Sequence, residues 1–72
     1  MQTIRFALAG EYIELCNLLK LAGLAPSGGQ GKQLVAQGLV SVDRLPESRK
    51  TAKIRAGQRV TCGEVLIIVE AG

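Results

Sequence analysis

Apolar residues along this chain change their spacing several times, and each change marks a new element. From Thr3 to Leu8, Ile4, Phe6 and Leu8 alternate with Thr3, Arg5 and Ala7, the period-two pattern of a strand with one covered face. Gly10 interrupts it. From Glu11 to Ala22 the period lengthens. Glu11, Glu14, Asn17 and Lys20 recur every three residues, while Ile13, Leu15, Cys16, Leu18, Leu19 and Leu21 fill most of the space between. That spacing predicts a helix with one narrow solvent stripe and a wide buried face, stopped by Gly23. Leu24-Ala25-Pro26 is a short connection. Ser27 then opens a second helix with Gln30 as its capping-box partner, Leu34 and Val35 as its buried face and Gly38 as its stop. The pair predicts an αα-hairpin over Glu11–Gln37.

After Gly38 the period returns to two. Val40 and Val42 alternate with Ser41 and Asp43, which predicts a strand, and Arg44-Leu45-Pro46 is expected to turn the chain. Arg59 to Cys62 reads as another strand, Gly63-Glu64 as a hairpin turn, and Val65 to Val69 as a final strand. That last stretch, VLIIV, is apolar on both faces and belongs inside a sheet, where Thr3 to Leu8 is expected to pair with it. The fold class predicted is α+β, an αα-hairpin packed on a small, mostly antiparallel β-sheet. At 72 residues the chain is expected to form one domain over its whole length. A chain this short buries roughly 60% of its unfolded surface, room for one modest core and no deep pocket.

Composition removes several kinds of chemistry. There is no histidine, hence neither the commonest general base nor the commonest metal ligand. Cys16 and Cys62 stand far apart in apolar stretches, with no ligands beside them. They are expected to be reduced core thiols, with no zinc. The start of the chain lacks the charged-then-apolar pattern of a secretory signal, and no stretch approaches the ~18 apolar residues of a membrane span. The expectation is a cytoplasmic monomer that is not an enzyme, with no cofactor, no membrane association and no small-molecule substrate. The run Ser27-Gly28-Gly29-Gln30-Gly31-Lys32 resembles a nucleotide loop only superficially. A Walker loop needs glycine where Pro26 stands and a hydroxyl where Gln33 stands.

Two features suit phosphate. At the start of the second helix, the amides of Gly28 and Gly29 have no partner inside the helix, the helix dipole adds partial positive charge, and Lys32 follows on the same turn. The second feature is the charge distribution. The chain carries a net charge of +3, and it is concentrated: Arg44, Arg49, Lys50, Lys53, Arg55 and Arg59 face only Glu47 between residues 44 and 59. One Phe, one Tyr and no Trp offer no stacking platform, Tyr12 being placed at a helix start and Phe6 toward the core. Charge and an open helix end without aromatics suit structured, backbone-rich RNA. The expected RNA contacts are Ser27, Gly28, Gly29, Gln30, Lys32, Arg44, Arg49, Lys50, Lys53 and Arg55.

Three segments carry a resemblance to a known family: Leu15-Cys16-Asn17-Leu18-Leu19-Lys20-Leu21-Ala22-Gly23-Leu24, Ser27-Gly28-Gly29-Gln30-Gly31-Lys32, and Gly38-Leu39-Val40-Ser41-Val42-Asp43. Their order and spacing resemble the S-four-like RNA-binding domain, named for a ribosomal protein of the small subunit, whose core is called the αL motif. The resemblance runs from about Glu14 to Val60. The tail Glu47-Ser48-Arg49-Lys50-Thr51-Ala52-Lys53-Ile54 is similar to the stand-alone bacterial branch. It implies a non-catalytic protein that binds RNA, with ribosomal or transfer RNA as possible partners. The chain departs from the family's custom at Glu14 and Gly28, where arginine is frequent, and at Asp43-Arg44, where Asn-Gly is frequent. The basic position at Lys32 is kept. The competing reading is a β-grasp interaction module or sulfur carrier, which also starts with a strand and helix. Carriers need a Gly-Gly end, and this sequence closes on Glu70-Ala71-Gly72.

Overall fold

The computed structural model describes residues 2–72. The elements run β1 (Gln2–Leu8), β2 (Ile13–Glu14), α1 (Leu15–Leu21), α2 (Gly28–Ala36), β3 (Val40–Val42), β4 (Leu45–Pro46), β5 (Lys53–Ile54), β6 (Arg59–Cys62) and β7 (Val65–Ala71). Five strands form one sheet in the order β1-β7-β6-β3-β4, while β2 and β5 make a separate two-stranded ladder. Among the described residues only β1 and β7 pair in parallel. The doubly apolar β7 lies between β1 and β6, with Ile67 and Val69 buried and the alternate Leu66 and Ile68 half-buried. The α+β class and the αα-hairpin are as the periodicity predicts. That hairpin, inserted before the first Val-x-Val strand, is the feature a β-grasp module does not accommodate.

The core joins the layers. Leu15, Leu18 and Leu19 of α1 and Val35 of α2 pack with Val40, Val60, Ile67 and Val69 of the sheet and Ile54 of the ladder, all fully buried. Along β1, Ile4 and Phe6 are half-buried and Leu8 is buried, while Thr3, Arg5 and Ala7 face solvent. Cys16 is buried and Cys62 half-buried, and both are free thiols. Burial pushes the Cys62 thiol up from its usual value, which disfavours the reactive thiolate.

Two boundaries and one burial assignment differ from the sequence reading. The first helix begins at Leu15, four residues later than its period suggests, because Ile13 and Glu14 are taken into pairing with Ile54 and Lys53. Leu21, counted in the buried face, is 62% exposed at the last residue of α1. The chain turns at Asp43-Arg44 and not at Arg44-Leu45-Pro46. Those two residues adopt φ of 50° and 70° and form a two-residue hairpin loop, so Leu45 and Pro46 pair back onto β3. The Asp43 carboxylate steadies this turn by accepting from the Arg59 N–H (3.0 Å) and from Gln58 Nε2 (3.3 Å).

Both helices stop as predicted. Beyond α1, Gly23 at φ +84° lets the Leu24 N–H donate to the Leu19 carbonyl and its own N–H to Lys20. Gly38 does the same beyond α2, with Leu39 donating to Leu34. Ser27 caps α2, its Oγ accepting from the Gln30 N–H at 3.2 Å, which is the Ser half of the expected capping box.

The helices meet most closely at Gly31, which is buried although its neighbours are exposed. A Cβ added there would lie 2.6 Å from the Cys16 carbonyl oxygen and 3.3 Å from its Cα and carbonyl carbon. These are backbone atoms and cannot rotate aside. Gly29 is different, since a Cβ there would meet only Ser27 Oγ at an ordinary 3.8 Å. Gly31→Ala is therefore expected to destabilise the protein by about 1–3 kcal/mol in urea unfolding, as overpacking does. Gly29→Ala should be neutral or stabilising by up to about 1 kcal/mol, because alanine is the better helix former. Equal effects would mean that the helix contact at Gly31 is not the tight one.

Candidate nucleic-acid interface

The segment between β4 and β5 is irregular yet tied down at both ends. At its start, the Glu47 N–H donates to the Val40 carbonyl at 3.1 Å. At its end the first amides of α1 take its carbonyls: Leu15 N–H donates to Ala52 (2.9 Å) and Cys16 N–H to Lys50 (3.1 Å). Glu14, the residue at the cap position of α1, provides no side-chain cap. The loop therefore satisfies the helix's free amides in place of a side chain, and the helix in turn fixes the loop.

This arrangement forms an open groove lined by Lys32 of α2 and by Ser48, Arg49, Lys50, Thr51, Ala52 and Lys53 of the loop and β5. Apart from Ala52, every lining residue carries a cation or a hydroxyl. Of the residues singled out from the sequence, Lys32, Arg49, Lys50 and Lys53 are brought together here. Ser27, Gly28, Gly29 and Gln30 occupy the turn of α2 that leads into Lys32, outside the groove's lining. Arg55 lies beyond Lys53, with its guanidinium carbon 5.9 Å from the Tyr12 ring. Arg44 is separate. It borders a second depression with Asp43, Arg59, Thr61 and Leu66.

The groove's cations are not equivalent. Arg49 is engaged by Glu47 in two side-chain contacts, Nε to Oε2 and Nη2 to Oε1, both 3.2 Å, and the Arg49 N–H also donates to Oε2 at 3.0 Å. Those hydrogen bonds, more than plain charge attraction, hold the Glu47 carboxyl below its usual range. It is the one ion pair among the described residues. Lys32 and Lys50 thus present unpaired charge, and Lys53 places its Nζ 5.0 Å from the centre of the Tyr12 ring.

Sequence reasoning missed three participants. Ser48 and Thr51 line the groove but carry no charge to draw notice. Tyr12 was assigned to a helix start, yet it stands exposed just before β2. The signal available was the Tyr-Ile pair after Gly10, since both residue types favour strands.

With the fold and the groove established, comparison with known proteins places the chain. An αα-hairpin on a mostly antiparallel sheet, with a basic loop against the second helix, defines the architecture. The chain belongs to the S4 domain family, whose model matches residues 6–70. It is similar to "Putative RNA-binding protein YbcJ" of Escherichia coli (strain K12), at 52% identity over 50 residues, covering 69% of this chain and 71% of that protein. The same figures hold for "Uncharacterized protein YbcJ" of Shigella flexneri. Among solved structures it resembles the solution structure of YbcJ from E. coli, described as revealing an alphaL motif involved in RNA-binding. The TM-score is 0.67 at 42% identity, covering 99% of this chain and 89% of that one.

Because Glu47 has a lower pKa folded than unfolded, its ion pair stabilises the fold above the ordinary carboxylate range. That contribution is lost as pH falls through the lowered native value. An NMR titration of the side-chain carboxyls should give Glu47 a midpoint below the ordinary 4.5. Arg49→Ala should move it back up. A midpoint that ignores the substitution would show that Arg49 does not hold this carboxylate.

Proposed function

We propose that this protein is a non-catalytic RNA-binding protein that grips the phosphate backbone of structured RNA in the groove between α2 and the loop at residues 48–53. The observation that carries this reading is the meeting of Lys32 with Lys50 and Lys53 in a single open, polar groove, where Arg49 alone is paired, to Glu47 outside the lining. Cations gathered without matching acids attract a polyanion and release its counterions on binding. The groove's lining includes hydroxyls and cations but no carboxylate or thiol, a set suited to holding phosphate oxygens. At the start of α2, the amides of Gly28 and Gly29, which have no helical partner, extend the same anion-binding character toward Ser27 and Gln30. The RNA-binding description of the similar E. coli protein supports the assignment.

Lysines act as point charges, whereas arginine forks impose a fixed geometry, so recognition in this groove follows backbone shape more than base sequence. Ribosomal or transfer RNA, each rich in folded backbone, fits that chemistry. We place the protein in the cytoplasm and treat it as a single-domain monomer. No helix among the described residues is long and apolar enough to cross a membrane.

The test is salt dependence. If Lys32, Arg49, Lys50, Lys53 and Arg55 each neutralise one phosphate, affinity for a folded RNA falls on a double-logarithmic salt plot with a slope of about −3.5 to −4.5. Lys32→Ala and Lys50→Ala should each reduce its magnitude by about one and weaken binding similarly across RNA sequences. Lys20→Ala, exposed on α1 and away from the groove, should change little. A flat salt response, or a larger loss for Lys20→Ala than for Lys32→Ala, would contradict the assignment.

A further inference from the structure

Tyr12 is the chain's one tyrosine, and there is no tryptophan. It is 42% exposed, although its ring is one of only two aromatic rings available to the core. Its place is set by the ladder that follows it. Ile13 pairs with the fully buried Ile54 and Glu14 with Lys53, so the backbone immediately after the ring is anchored. Two cations stand over the ring, Lys53 Nζ at 5.0 Å and the Arg55 guanidinium at 5.9 Å from its centroid. Lys53 also lines the basic groove. The ring is therefore continuous with the groove through a shared lysine.

We propose that Tyr12 is a stacking position for one unpaired nucleobase of the bound RNA, an inference that rests on the backbone-binding reading above. A strand held in the groove runs past Lys53 toward Arg55, and these two cations suit the phosphates flanking one nucleotide. The base of that nucleotide then meets an exposed aromatic face. Every base has a π-face, so the position is indifferent to sequence, and the Arg55 guanidinium plane can cover the base's other side. In a continuous A-form duplex the bases stay stacked on one another, and the protein reaches only backbone and the shallow groove. The preferred ligand is thus a stem interrupted by a bulge or ending in an unpaired nucleotide, and not uninterrupted duplex.

The chain's own fluorescence tests this, because Tyr12 is its only tyrosine and no tryptophan masks it. The probes are two RNA hairpins of identical stem, one continuous and one with a single bulged adenosine. Saturation with the bulged hairpin should quench tyrosine emission by more than about half, and the continuous hairpin should quench it far less. Tyr12→Leu should weaken the bulged hairpin about five- to fiftyfold, within the range that removing a stacked ring produces, and the continuous one less than about twofold. Tyr12→Phe should bind both like the wild type, because stacking needs the ring and not the hydroxyl. Equal quenching by both hairpins, or equal weakening of both by Tyr12→Leu, would overturn the inference and leave Tyr12 as a support for Lys53 and Arg55. Wild-type protein that bound neither hairpin in a salt-dependent way would overturn the backbone reading, and this one with it.

Discussion

One residue of α1 holds both walls of the basic groove. The carbonyl side of Cys16 meets α2 at Gly31, where no Cβ fits, and its N–H donates to the Lys50 carbonyl of the loop. Lys32 follows Gly31 directly, so the approach that buries Gly31 also brings Lys32 to the loop. Any side chain at position 31 would push α2 outward and part these cations by roughly the displacement it causes. The α1 helix, only seven residues long and without a side-chain cap, depends on the same loop carbonyls for its first amides. Helix stability and groove geometry are in this way coupled through a few backbone contacts.

The electrostatics follow from that frame. Lysines brought into one groove repel one another, at a cost moderated by water and salt. A loop left free would splay to relieve it. Here Glu47 and β5 anchor the loop at its two ends, and the Glu47–Arg49 pair withdraws one cation from the repulsion while keeping it at the groove's edge. Arginine is frequent in the resembling family at two positions that are Glu14 and Gly28 in this chain. Glu14 is instead paired opposite Lys53 in the ladder, and Gly28 faces Asn17 across the helix contact. The charge stands on the loop, where the fold can aim it.

Much of this was legible in the sequence wherever a local period sufficed. The switch from period two to three and back placed both helices and most strands, and Ser27, Gly23 and Gly38 marked helix ends because caps are local chemistry. Lys32 and the stretch from Arg49 to Lys53 were both marked from the sequence as candidate RNA contacts, and the fold brings them to one groove. What escaped was decided at long range. The helical spacing of Glu11, Glu14, Asn17 and Lys20 runs straight through Ile13-Glu14, and only the distant Lys53-Ile54 pairing overrides it. Misplacing that boundary also misplaced Tyr12. Asp43-Arg44 escaped because left-handed turns favour Asn and Gly, and the bonds from Gln58 and Arg59 that support Asp43 come from a remote strand. Gly31 carried no local signal of its own in the glycine-rich run, because its need is for space against Cys16.

The central claim is that α2 and the loop act as one RNA-binding face. Amide NMR spectra recorded while a folded RNA hairpin is titrated in test it most directly. The account predicts that amides at residues 28–32 and 48–53 shift together and saturate along one binding curve, while those of β4 and the outer strand β1 barely move. Shifts centred instead on the depression around Arg44 and Arg59, or separate binding curves for α2 and the loop, would contradict it.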